Sequence, residues 1–168
     1  MPQIILKINK NSDVIAKGDN ICCYIADSSL DKRKFEELVK TEKMVLVQGD
    51  NAESCYQKYN LDGVVVEIDT SKPIKAQLKP WREKLKKKTL GVVIPPRRHE
   101  AMLVSEIEPE FVIFNISESE KDESLIEWYN ELFVLPSAVQ FSGKIWPLEK
   151  IKSDFVIFDA EKFKNSGC

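Results

Sequence analysis

Short apolar runs that alternate with helical or polar segments set the pattern of this chain. Leu90 to Ile94 and Phe111 to Ile116 are apolar runs rich in β-branched and aromatic residues, which is typical of buried strands. Between them, the apolar side chains from Ala101 to Ile107 recur at helical spacing. A strand, a helix and a second strand in this order form a βαβ unit, so we expect the two strands to be parallel.

The same kind of run recurs along the chain and predicts eight strands. These strands are predicted at Gln3–Ile8, Ile21–Ala26, Met44–Val47, Gly63–Ile68, Leu90–Ile94, Phe111–Ile116, Ser137–Phe141 and Phe155–Phe158. Helices are predicted at 31–40, about 52–59, about 73–87, between the fifth and sixth strands, and at 119–132. Pro80 is expected to kink or interrupt the third helix. The polar stretch after the first strand is too short for a covering helix, and little room for one follows the last strand.

Mostly uninterrupted apolar strands that alternate with helices indicate a parallel sheet buried on both faces. We predict an α/β fold, a minimal (β/α)8 TIM-like barrel with terminal helices missing or shortened. An open parallel α/β sheet is the alternative, although no glycine-rich GxGxxG turn follows the first strand. With 168 residues and 43% hydrophobic content, residues 1–168 are expected to form a single domain.

Charge and composition exclude several classes of partner. The formal net charge is −2, so no global basic field would attract nucleic acid. We find no run of about 18 apolar residues and no signal-peptide order at the N-terminus, so we expect a cytoplasmic protein without a membrane partner. Four cysteines without a CxxC pair give no sign of a zinc site. Missing covering helices would leave apolar strand surface exposed, which favours a homodimer.

From Leu30 onward, the chain resembles the thiamine phosphate synthase and thiazole tautomerase family of small TIM barrels. The segment NLDGVVVEID is similar to that family's GADGVHLGQED, with Asp62 and Gly63 retained. The stretch 90–117 is similar to the family's GVS turn, EEAL helix and GADYV strand, with Gly91 in register. The order and spacing of segments carry most of this resemblance, and it covers most of the chain.

The resemblance implies binding residues at the C-terminal ends of the strands, where barrel chemistry generally lies. It also implies a transferase that joins a pyrimidine diphosphate to a thiazole phosphate with Mg²⁺. Asp50, Asn51 and Asp69 fall at or near the family's metal-binding positions and are our predicted metal ligands. Val93 replaces a serine of the family, and Pro95 with Pro96 replaces its polar turn.

The most concentrated polar cluster directly follows the fifth predicted strand. Arg97, Arg98 and His99 begin the next helix there, where backbone amides and forked guanidinium donors suit an anion. The competing interpretation is a solvated first helical turn. By the resemblance, Lys121 can replace a family lysine, and Ser142 with Gly143 corresponds to its phosphate turn. The predicted ligand- and anion-binding residues are therefore Arg97, Arg98, His99, Lys121, Ser142 and Gly143.

Two classes of function follow. The first is a thiamine phosphate synthase-like protein with a degenerate active site, which would use Mg²⁺ if it is active. The second is a non-catalytic barrel that binds a small phosphorylated ligand, or a regulatory or structural protein that acts as a dimer. No catalytic residue is assigned, because His99 has no nucleophile or metal partner evident in the sequence.

Overall fold

The computed structural model describes residues 2–116, 120–141 and 147–165, without the side chains of residues 120, 121, 164 and 165. The strands are β1 Gln3–Ile8, β2 Ile21–Asp27, β3 Met44–Gln48, β4 Gly63–Glu67, β5 Thr89–Ile94, β6 Phe111–Ile116, β7 Ser137–Phe141 and β8 Phe155–Asp159. The α-helices are α1 Lys32–Val39, α2 Ala52–Lys58, α3 Ile74–Leu85, α4 Arg98–Ser105, α5 Glu120–Leu132 and α6 Ala160–Asn165, and a short 3-10 helix covers Leu148–Lys150.

The eight strands form a closed barrel in the order β1 to β8, and the strand pairs described are parallel. This confirms the predicted minimal α/β barrel and excludes the open sheet. As predicted, no helix separates β1 from β2, and α6 has only six residues. Among the described residues, none of the helices is long and apolar enough to cross a bilayer.

Contacts within the chain divide it into two compact units. The first contains Gln3–Val65 and the described residues from Ile157 onward, and the second contains Val66–Val156. Fully buried side chains of the first unit include Leu6, Tyr24, Ile25, Phe35, Leu38 and Leu46. Those of the second include Leu78, Val92, Ile113, Phe114, Tyr129 and Val139. Apolar strand residues therefore supply most of each core, as the uninterrupted apolar runs indicated.

The connection between β1 and β2 belongs to the first unit and is held in place there without forming a helix. Ile15 is buried there, and the Tyr24 hydroxyl donates to the Ala16 carbonyl at 2.8 Å. Two lysines also hold it, since the ammonium of Lys34 donates to the Asp13 carbonyl and that of Lys43 donates to the Gly18 carbonyl. The connection thus covers part of the surface that we expected to be bare. The homodimer stays a prediction.

The third helix begins after Pro73 as predicted and ends two residues before Lys87, and Pro80 does not interrupt it. Helix α3 ends at Leu85 because Lys86 adopts a positive φ of 50°, outside the helical region. Proline at position 80 removes the hydrogen bond to the carbonyl of Ala76. Both residues are exposed. The carbonyl of Ala76 therefore lies on the solvent side of the helix and can be hydrated.

Three apolar side chains of the predicted helices lie at or near the surface. Met102 is 51% exposed, whereas α4 buries Ala101 and Val104. Adjacent residues of a helix point about 100° apart, so Met102 does not share the direction of Ala101. Leu132, at the end of α5, is 63% exposed. Trp128 is half-buried, while the next residue, Tyr129, is fully buried. The apolar pattern predicted where the helices lie, but it did not identify which of their apolar side chains are buried.

Candidate functional site

A cavity of about 330 Å³ lies in the second unit, where β4, β5 and β6 end. Its lining residues come from the ends of these strands and the turns after them: Glu67, Ile68, Thr70, Val93, Ile94, Pro95, Pro96, Arg97 and Asn115. Binding sites of α/β barrels occupy this C-terminal end of the strands, where the loops can vary without disturbing the core. The cavity is therefore our candidate functional site.

The turn after β5 forms one side of the cavity. Strand β5 is apolar and buried up to Ile94, and Pro95 and Pro96 then end it because proline cannot donate to a neighbouring strand. The Arg97 amide donates to the Pro95 carbonyl at 2.8 Å, which closes the turn directly before α4. The chain thereby brings Arg97 to the cavity.

Among the described residues that line the cavity, Arg97 is the positively charged one. Its side chain is 65% exposed, and its Nη1 lies 3.4 Å from Oε1 of Glu100. Glu100 belongs to the first turn of α4, where a negative charge is favoured by the helix dipole. Only 9% of its side chain is exposed, and its Oε2 atom has no hydrogen-bond partner. Arg97 thus makes one weak contact with the buried carboxylate of Glu100. Most of its N–H donors remain available to a ligand.

The three residues of the predicted cluster, Arg97, Arg98 and His99, lie in different surroundings. The Arg98 guanidinium lies 4.9 Å from the ring centroid of Trp128, in a cation–π contact with α5. His99 is exposed, and neither it nor Arg98 lines the cavity. Of the three, the structure brings only Arg97 to the candidate site. The side chain of Lys121 and the residues Ser142 and Gly143 lie outside the described part of the chain.

Asp69, a predicted metal ligand, lies in the turn between β4 and α3. Its Oδ1 accepts hydrogen bonds from the Ser71 amide at 2.9 Å and from the Ser71 hydroxyl at 2.6 Å. These hydrogen bonds hold the pKa of the Asp69 carboxyl below its usual value. The Lys72 ammonium lies 3.7 Å from Oδ2. The carboxylate is therefore ionised at neutral pH, but it already stabilises its own turn.

Asp50 and Asn51, the other predicted metal ligands, belong to the turn between β3 and α2 in the first unit. Both residues are exposed, and the backbone amide of Asn51 donates to the Ser28 hydroxyl at 3.2 Å. Asn51 precedes α2, but its side chain makes no capping hydrogen bond. These contacts fix the backbone of the turn and leave the Asn51 side chain free of a capping role.

The residues described do not fit a preformed magnesium site. Among them, no three His, Cys, Asp or Glu side chains come together in a group that could hold a metal ion. Mg²⁺ usually needs carboxylates that converge with open positions for water and phosphate oxygens. The metal role of Asp50, Asn51 and Asp69 stays a prediction.

Sequence reasoning missed Glu67, Asn115 and Glu100. Glu67 is the last residue of β4, and Asn115 is a polar residue within the apolar run FVIFNI. A polar side chain at the end of a buried strand was therefore an available signal. The burial of Glu100 was harder to detect, although it precedes Val104 by four residues and so shares the buried face of α4.

Comparison with known proteins supports the fold. The structure is similar to thiamine phosphate pyrophosphorylase from Pyrococcus furiosus, with a TM-score of 0.63, 11% sequence identity, and coverage of 93% of this chain and 85% of that chain. At this identity, the similarity establishes the α/β barrel fold alone. No family model and no curated protein matches the sequence.

Proposed function

We propose that the protein is a thiamine phosphate synthase-like barrel that binds a small phosphorylated ligand in the cavity at the ends of β4, β5 and β6. We further propose that its synthase active site is degenerate, so that binding rather than transfer is its main activity. The observation that carries the proposal is the position of Arg97 beside a cavity at the catalytic end of this barrel type. The resemblance in segment order and the structural similarity support the same assignment.

The chemistry of the lining favours binding of a phosphate group. A guanidinium presents several donors in a fixed fork that matches phosphate oxygens, and Arg97 uses only one of them in its contact with Glu100. Asn115 lines the same cavity and carries an amide group that can add a neutral donor. A volume of about 330 Å³ is at the small end of the range for ligand pockets and suits a small molecule.

The same lining gives weak support to transfer chemistry. Departure of a diphosphate needs several cations or a metal ion around the leaving group. Among the described residues that line the cavity, Arg97 is the one cation, and Glu67 adds a negative charge. Asp69 is engaged with Ser71 and Lys72. These features support a protein that retains the barrel and an anion contact while its synthase chemistry is reduced.

Replacing Arg97 with alanine is expected to weaken binding of inorganic phosphate by about tenfold or more, because a hydrogen bond to a charged group contributes roughly 1.5–3 kcal/mol. Isothermal titration calorimetry of the full chain at low salt measures this. Arg98→Ala is the matched control, since it removes the same charge one residue away but leaves the cavity lining intact. Equal weakening by both variants, or no binding to the wild type, would contradict the proposed site.

A degenerate synthase is expected to bind without turnover. Thiamine phosphate or pyrophosphate should raise the melting temperature of the wild-type protein, because a ligand that binds only the folded state stabilises it. Incubation with the pyrimidine diphosphate, the thiazole phosphate and Mg²⁺ should give no thiamine phosphate above a protein-free control. Product formation at a rate typical of enzymes would refute the degenerate site, and a stabilising effect of Mg²⁺ alone would support the predicted metal ligands.

A further inference from the structure

Two charged side chains of opposite sign line the cavity without forming a pair. Of the lining residues that the structure describes, Glu67 and Arg97 are the charged ones, and both are exposed. Within the described part of the chain, Glu67 forms no ion pair with Arg97 or any other cation. An exposed carboxylate at the end of a buried strand needs no partner while water solvates it. A ligand that fills the cavity would displace that water and would have to compensate the charge.

Glu100 increases the negative charge near this site. Its carboxylate contacts Arg97 through Oε1, while the buried Oε2 accepts no hydrogen bond. Two nearby basic residues make other contacts, since Arg98 stacks on Trp128 and Lys72 faces Asp69. Among the described residues at this site, one guanidinium is therefore accompanied by two carboxylates, Glu67 and Glu100. A ligand with only negative charge would gain from Arg97 but would be repelled by both carboxylates.

We propose that the ligand of this cavity is zwitterionic, with a phosphate group that contacts Arg97 and an ammonium group that contacts Glu67. This inference rests on the proposed function and narrows its ligand class. The ammonium group replaces the water that solvates Glu67, so ligand binding leaves neither charge of the lining uncompensated. Asn115 and Thr70, which also line the cavity, provide neutral hydrogen-bonding groups for the part of the ligand between its charges.

Phosphoethanolamine and propyl phosphate are the matched probes, because they have nearly the same size and differ in whether the terminal group is an ammonium or a methyl. Titration calorimetry of the full chain is expected to give about 1.5-fold to fivefold tighter binding of phosphoethanolamine, the range for an exposed charge pair. Glu67→Gln should abolish this preference and raise the affinity for propyl phosphate, since it removes a repulsive charge. Glu83→Gln, on the exposed surface of α3, makes the same charge change outside the cavity and should preserve the preference.

The outcomes separate the two proposals. Equal affinity for the two probes, or a preference that Glu67→Gln leaves intact, would overturn the zwitterionic ligand while the anion contact at Arg97 stands. Loss of the preference in Glu83→Gln as well would also overturn it, because the effect would then come from overall charge. If neither probe binds at millimolar concentration and inorganic phosphate also fails, the proposed function itself is wrong.

Discussion

Replacing Arg82 with methionine is expected to lower the free energy of unfolding by about 2–3 kcal/mol, since the change leaves a partly buried carboxylate without its charged donor. Arg82 lies near the end of α3, and its guanidinium binds the Glu110 carboxylate through two contacts of 2.7 and 3.1 Å. It also donates to the carbonyls of Lys86, Lys88 and Glu108 at 2.6, 2.9 and 3.1 Å. Methionine keeps most of the apolar stem and none of these hydrogen bonds.

The position of Arg82 in the fold explains why its loss should be costly. Lys86 and Glu108 both adopt positive φ values, 50° and 56°, so the turns that contain them are strained. Glu110 also accepts a hydrogen bond from the Leu90 amide at 2.9 Å, near the start of β5. One guanidinium therefore stabilises the two turns that lead into β5 and β6.

Chemical denaturation followed by circular dichroism measures the effect of Arg82→Met. Lys79→Met is the matched control, because it removes the same charge from an exposed position of α3 and should change the free energy by less than about 0.5 kcal/mol. Arg82→Lys keeps the charge but loses the fork, so it should resemble Arg82→Met more than the wild type. A loss below about 0.5 kcal/mol for Arg82→Met would contradict the role given to these hydrogen bonds.

The sequence was sufficient to predict the strands, because each buried strand of a parallel barrel is an apolar run such as Phe111–Ile116. The sequence was less able to predict where each helix ends and which of its side chains are buried. Helix α3 stops at Leu85 because the chain turns at Lys86, which has no glycine or proline to mark it. Met102 and Ala101 look equivalent in an apolar pattern, yet only Ala101 faces the barrel. Which of two adjacent apolar residues becomes buried depends on tertiary packing.

The candidate site was predictable only in part. Arg97 was predicted because it follows an apolar strand directly, and strand ends meet at one end of a barrel. The sequence alone could not separate it from Arg98, whose partner Trp128 comes from α5, thirty residues later. Glu67 was missed because a charged residue after an apolar run is also typical of an ordinary exposed turn. Its significance arises from sharing a cavity with Arg97, and that proximity is a property of the fold.

Gly49→Ala is expected to lower the free energy of unfolding by about 2–4 kcal/mol, for two separable reasons. Gly49 has a φ of 132°, in a region that residues with a side chain rarely adopt. A Cβ atom at this position would also lie 2.3 Å from the Ser28 hydroxyl oxygen and 3.2 Å from the Ser28 Cβ. Alanine must therefore either move the Ser28 side chain or displace the turn that carries Asp50 and Asn51.

A double-mutant cycle with Ser28→Gly separates the backbone strain from the steric overlap. Ser28→Gly removes both side-chain atoms that Cβ of alanine would meet, so Gly49→Ala should cost less in that background. The cost that remains measures the strain at φ 132°. If the cost is the same in both backgrounds, the overlap with Ser28 contributes nothing and the backbone conformation alone requires glycine. If Gly49→Ala costs less in the Ser28→Gly background, the Ser28 side chain and Gly49 together fix the backbone before Asn51. The backbone amide of Asn51 donates to the Ser28 hydroxyl.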